Sequence, residues 1–325
     1  MARGFWDTLP RPFFGLAPLA NVTDTAFRQL IVRYSKPHFF YTGFVSASGL
    51  CSPGRKVLLA DLIFSPIEQP IVAQLFTAKP DHMAQAAALV TSLGFAGVDI
   101  NMGCPDRAVE RQGAGAALIK NPSLARELIR AAKAGAAGLP VSVKTRLGYN
   151  HDELDYWLPE LLAEEPAAII LHARTRKEMS KVPAHWEAVA RAVELAHGSK
   201  TFIIGNGDVM DLTDARRRAD ETGCAGVMLG RAIFGNPWLF TEPTPNVTVE
   251  ERLCAMIEHT KLFLSLLGNR KRFAMMKKHY KAYVTDFPGS KQLRARLMAT
   301  RNVEEVVALV TDFIIARQAS HPAWL

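Results

Sequence analysis

The amino-acid sequence predicts an α/β protein: a TIM (β/α)8 barrel over residues 1–243, followed by a small all-α domain over residues 244–325. Three observations lead there. Short apolar runs alternate eight times with longer stretches, most of them of helical periodicity. Each run ends in a polar or glycine-rich turn. After Thr241–Val247, where Pro243 and Pro245 discourage a continuous helix, the strand-like runs stop and only helical patterns remain.

The eight runs are Phe13–Ala17, Phe39–Thr42, Ile71–Leu75, Gly97–Ile100, Val141–Lys144, Ala168–Leu171, Phe202–Ile204 and Gly226–Leu229. They are continuous rather than alternating, as strands of a parallel sheet buried on both faces should be. Asp81–Leu93, Ser123–Ala136 and Trp186–Ala196 have helical spacing between them. Eight such units in about 240 residues is the size of a (β/α)8 barrel. A doubly wound open sheet is the competing architecture, but no GxGxxG follows the first strand. Beyond the linker, Val249–Leu267 carries Leu253, Met256, Ile257, Phe263 and Leu264 at helical spacing. Phe273–Val284, Lys291–Met298 and Val303–Arg317 read as helices too.

Hydrophobic residues are 49% and charged residues 22% of the 325, an ordinary globular composition that argues against disorder. No apolar run is long enough to span a bilayer, and Met1–Pro12 lacks the apolar stretch of a signal peptide. A cytoplasmic protein with no membrane partner is expected. Cys51, Cys104, Cys224 and Cys254 form no CxxC pair, so no metal site is expected and a reducing compartment fits. Nothing points to an obligatory protein partner. The net charge of +8 is uneven: residues 244–325 hold 13 Lys and Arg against 7 Asp and Glu. Between Arg270 and Arg301 there are ten basic residues and one acid, Asp286. Such a run can be a solvated helix face; its local concentration favours a polyanion-binding surface.

In TIM barrels the active site lies at the C-terminal ends of the strands. Reading those ends in order gives Ala17-Pro18, Gln74, Asn101 with Cys104, Lys144 with Arg146, His172 with Arg174, Asn206-Gly207-Asp208, and Gly230-Arg231. The last two loops combine glycines, which let backbone N–H groups approach an anion, with a fixed charge on Arg231. Tight turns alone would also explain the glycines, but Arg231 in the loop where this fold usually binds phosphate favours a phosphate site. Lys144 could form a Schiff base or neutralise a bound cofactor. His172 could be a core histidine, but it shares the rim with Lys144. Cys104, in a Gly-Cys-Pro loop above the barrel mouth, could be an inert thiol or a general acid near neutral pH.

These pieces resemble the tRNA-dihydrouridine synthase family over nearly the whole chain and in the family's order. The most specific are Asp99-Ile100-Asn101-Met102-Gly103-Cys104-Pro105 and Gly113-Ala114-Gly115-Ala116-Ala117-Leu118. Asn21-Val22-Thr23-Asp24, Gln74-Leu75-Phe76, Val143-Lys144-Thr145-Arg146, His172-Ala173-Arg174-Thr175-Arg176, Gly205-Asn206-Gly207-Asp208 and Gly230-Arg231 with Gly235-Asn236-Pro237 accompany them. The resemblance implies a flavin-dependent oxidoreductase that holds FMN, takes electrons from NADPH or NADH, and reduces the C5–C6 bond of a uridine in tRNA. It implies hydride delivery to C6 and a proton from Cys104 to C5. It assigns Ala17, Pro18, Gln74, Lys144, His172, Asn206, Gly207, Asp208, Gly230 and Arg231 to the cofactor, Asn101 and Arg174 to the uracil, and the basic helices to tRNA. An FMN reductase of a free pyrimidine or other small enone, and a non-catalytic RNA-binding barrel, are the rival readings. Two departures from the family pattern stand out. Gly43 occupies the position of a usual glutamate, and residues 177–183, Lys-Glu-Met-Ser-Lys-Val-Pro, replace a tyrosine- and glycine-containing stretch.

Overall fold

A computed structural model describes residues 3–320. The described chain packs as two compact units: residues up to 23 with 37–231, and residues 24–36 with those from 232 onward.

The first unit is the barrel. Its strands are β1 (Phe13–Leu16), β2 (Phe40–Tyr41), β3 (Ile71–Phe76), β4 (Gly97–Asn101), β5 (Val141–Arg146), β6 (Ala168–His172), β7 (Phe202–Asn206) and β8 (Gly226–Leu229). All pair in parallel, each with its neighbour in the chain from β2 to β8, and β8 pairs with β1. The ring closes between β1 and β2 through a single bridge, Gly15 to Phe39. Gly15 is the residue this contact demands, because a Cβ there would lie 2.1 Å from the Phe39 ring. The expected strand Phe39–Thr42 shortens to two residues; Val45–Ser46 then resumes pairing alongside β3.

One end of the barrel is filled by rings. Trp6 packs on Phe13 and Phe39 at centroid distances of 5.5 and 4.8 Å, and Phe13 meets Phe202 at 5.9 Å. Toward the C-terminal ends of the strands the interior changes character. Gln74, Asp99 and Ser142 are buried there in place of hydrocarbon. Polar groups carried so deep must find partners or cost several kcal/mol each, and the site is built from how they do so.

The second unit is helical. It contains Val249–Leu267, Lys277–Tyr283, Ser290–Ala299 and Val303–Ser320, matching the expected helices within a few residues except that Phe273–Met276 is 3₁₀. Thr248 and Glu251 form a capping box that starts the first of these. The unit also takes in the helix Thr25–Tyr34, which the sequence boundary at 243/244 leaves with the barrel. The cause is specific packing. Phe27 stacks on His259 at 4.8 Å, and Tyr34 Oη donates to Glu258 at 2.9 Å. Of the ten basic residues between Arg270 and Arg301, Arg270, Arg272, Lys281, Lys291, Arg296 and Arg301 are exposed. Lys277 and Arg294 instead donate to the carbonyls of Met298 and Val284.

Candidate active site

A cavity of about 360 Å³ opens at the C-terminal ends of the strands. Twelve of the thirteen residues proposed from the sequence line it: Ala17, Pro18, Gln74, Asn101, Cys104, Lys144, His172, Asn206, Gly207, Asp208, Gly230 and Arg231. Arg174 does not. Its buried guanidinium is turned onto the Asp208 carboxylate and the Val182 carbonyl.

On the β4 side, Cys104 sits in a loop pinned from below. Asn101 Oδ1 accepts the backbone N–H groups of Gly103 and Cys104 at 3.2 and 2.9 Å. Gly103 allows the loop to lie against β5, where a Cβ would meet the Thr145 backbone at 3.1 Å. Gly115, at φ +62°, lets the next loop close on the cysteine: Ala116 N–H donates to the Cys104 carbonyl at 2.9 Å. Burial pushes the Cys104 thiol above its ordinary value of 9.0, so it carries its proton at neutral pH.

Lys144 Nζ donates to Asn206 Oδ1 at 2.9 Å, and Asn206 Nδ2 donates in turn to the Met228 carbonyl at 2.7 Å. Burial first, then the positive charge of Arg146, bring the Lys144 ammonium down to about 8. His172 is held well below 6.5 by burial and by the charges of Arg146, Lys144, Arg174 and Arg231. It is therefore neutral, consistent with its Nε2 facing Arg174 Nη1 at 3.4 Å.

On the β7–β8 side, Asp208 accepts from Arg231 at 2.6 Å, from Arg174, and from the Ala184 N–H at 3.1 Å. Burial works against its charge, but the two arginines hold the carboxyl below its ordinary value. Gly207 adopts φ +134°, and a Cβ there would meet Ala184 Cβ at 2.9 Å. At Gly230 a Cβ would meet only Ala17 Cβ, at 3.7 Å, so glycine there preserves cavity space rather than packing. A glycine that keeps space open beside an arginine whose side chain is 61% exposed suits a phosphate-sized anion.

Several residues of the site escape a reading of strand ends. Asp99 and Ser142 lie inside the barrel beneath Gln74; a carboxylate amid the apolar run Gly97–Ile100 is the available signal. Arg146 is visible at its strand end, but its role is not. It joins two rim loops, donating to the Gly103 carbonyl at 2.7 Å and to the Thr175 and Met179 carbonyls at 3.1 and 3.3 Å. Met179 and Ser180, in the divergent 177–183 segment, line the cavity. A Cβ at Gly43 would meet nothing nearer than 3.9 Å, so the departure leaves open space beside Leu19, another lining residue.

Comparison with known proteins follows the same lines. Residues 15–319 match the family model described as "Dihydrouridine synthase (Dus)". A "Probable tRNA-dihydrouridine synthase" of Staphylococcus aureus (strain MRSA252) is 39% identical over 318 residues, 96% of each chain. A "Probable tRNA-dihydrouridine synthase 2" of Bacillus subtilis (strain 168) is 40% identical over 318 residues, 96% of this chain and 97% of that one. Among solved structures, morphinone reductase shares the fold with a TM-score of 0.52 at 14% identity, covering 72% of this chain and 86% of that chain.

Proposed function

The chain belongs to the dihydrouridine synthase family, and on that premise we propose that it reduces the C5–C6 double bond of a uridine in tRNA, with FMN as cofactor and NADPH or NADH as electron source. The observation that carries this reading is a proton-bearing thiol, Cys104, pinned at the mouth of a cavity whose opposite side is built for an anion. The fit to FMN is chemical. Gly207, Gly230 and Arg231 would hold its phosphate, and Ala17, Pro18, Gln74, Lys144, His172, Asn206 and Asp208 the rest of the cofactor.

FMN, when bound, supplies the hydride for C6 of the uracil, chemistry that no side chain carries. Hydride addition at C6 leaves negative charge spread over C5 and the C4 carbonyl. Cys104 holds the proton that quenches this charge at C5, because burial keeps its thiol protonated where a solvated thiolate would be useless as an acid. Lys144 brings positive charge to the site below about pH 8. His172, neutral, offers hydrogen bonds only. Asn101 serves the substrate by holding Cys104, and Arg174 by holding Asp208 and the segment that carries Met179 and Ser180. A uridine stacked in folded RNA must be flipped out, at a cost of a few kcal/mol. The exposed basic residues from Arg270 to Arg301 would offset this through phosphate contacts, which makes binding salt-sensitive.

The test is an absorption spectrum of the purified protein with FMN, taken anaerobically before and after NADPH and again after unmodified tRNA. Flavin bands that bleach with NADPH and return with tRNA are expected. Bands that return equally with free uridine would replace the RNA substrate by a small one. A protein that takes up no FMN would remove the catalytic reading.

A further inference from the structure

Four buried groups form one chain from the barrel interior to the Cys104 loop. Ser142 Oγ donates to Asp99 Oδ1 at 2.6 Å, and Gln74 Nε2 donates to Asp99 Oδ2 at 2.7 Å. Asn101 Nδ2 donates to Gln74 Oε1 at 3.1 Å. Asn101 Oδ1 accepts the N–H groups of Gly103 and Cys104. Tyr41 Oη lies 2.9 Å from Ser142 Oγ and, since Ser142 gives its proton to Asp99, is the donor of that pair.

The direction of every link follows from the far end. Backbone N–H groups can only donate, so Asn101 must present its oxygen to Cys104 and its NH2 to Gln74. Gln74 must then present its oxygen to Asn101 and its NH2 to residue 99. An acceptor is therefore required at position 99, and a carboxylate oxygen is one that cannot be flipped into a donor by rotation. Gln74 and Asp99 are fully buried, so no water replaces a lost partner without cost.

We propose that Asp99 is a positioning residue for Cys104: it locks the amide orientations of Gln74 and Asn101, and through them the loop that aims the thiol. This inference rests on the reading of Cys104 as the proton donor. Asp99 is not among the residues that line the cavity, and its hydrogen-bonded link to the Cys104 loop passes through two side-chain amides. Its carboxyl is raised to about 7 by burial, against the pull of Ser142, Gln74, Lys144 and Tyr41. Placing an ionisable group there works against its burial, and the demand for an acceptor that cannot rotate accounts for it.

The test compares wild type with Asp99→Leu, which removes the acceptor, and Asp99→Asn, which can still offer an oxygen to Gln74. Two readouts are taken: the rate of Cys104 alkylation by iodoacetamide, followed on its peptide by mass spectrometry, and kcat and KM for uridine reduction in tRNA. Asp99→Leu should change Cys104 alkylation at least fivefold and lower kcat about 10-fold to 100-fold with KM for tRNA within about twofold. Asp99→Asn should recover most of both. Should Asp99→Leu fail to fold, Gln74→Met cuts the chain one link nearer the thiol and should change alkylation likewise. Alkylation unchanged in whichever of these folds overturns the proposal, as does equal loss in Asp99→Asn and Asp99→Leu. Altered alkylation in a protein whose wild type reduces no uridine would leave the positioning intact and remove the reductase reading instead.

Discussion

On the β4 side of the rim, Cys104 is held by Asn101 through a part-buried hydrogen bond, and Asn101 by Gln74 through a buried one. On the β7–β8 side, Arg231 is held by Asp208 across an ion pair whose side chains are 61% and 31% exposed. The two regions meet different requirements. A general acid needs a fixed aim and a proton that stays on at neutral pH; the side-chain amides of Asn101 and Gln74 supply the first and burial of the thiol the second. An anion site needs charge that a ligand can recruit, and a solvated ion pair can exchange one partner for another at little cost. Lys144, anchored on Asn206 between these regions, is half-buried and carries a charge.

The largest effect should come from the acid itself. Cys104→Ala removes the proton source and leaves the anion side untouched. Dihydrouridine formation, measured by mass spectrometry of digested tRNA, should fall about 10²-fold to 10⁴-fold, the usual worth of general acid catalysis, while FMN uptake is unchanged. Full turnover by that variant would show that the β4 side does not supply the acid. Next comes Arg231→Ala, aimed at the opposite side. Loss of one charge-assisted contact at a half-open position should weaken FMN binding about 10-fold in a fluorescence titration, with Cys104 alkylation as in wild type. Parallel loss of both would mean that the regions are not independent.

The smallest effect is the pH response of the residue between them. The Lys144 pKa is depressed to about 8, so its charge is complete below that value and is lost as pH rises through it. Cys104, raised above 9.0, stays protonated over the same range. At saturating substrate the alkaline limb of the rate should fall to half near pH 8. Lys144→Arg should move that limb upward, and a limb that stays put in this variant would assign it elsewhere.

Much of the site was legible because the barrel puts its chemistry at strand ends, and strand ends are visible as the points where apolar runs stop. Each of the eight runs became a strand within a few residues, and thirteen of the fourteen residues read from those points line the cavity. Arg174 shows the limit of that rule: it follows β6 as expected, but the pull of Asp208, 34 positions away, turns it off the cavity. The helix Thr25–Tyr34 looks locally like any helix between two strands, and tertiary contacts such as the Phe27–His259 stack and the Tyr34–Glu258 hydrogen bond join it to the helical unit.

The barrel, its helical extension, the family and the identity of the groups around the rim are written along the chain, because hydrophobic period and motif order can be read there directly. The partners come from folding: which amide faces which, that Asp99 bonds to Gln74, that Arg146 joins two loops, and that Arg174 serves Asp208. Those pairings link residues 25 to 43 positions apart, and their direction depends on donors and acceptors meeting inside a closed ring of strands. A hydrogen bond of that kind leaves no periodic trace along the chain.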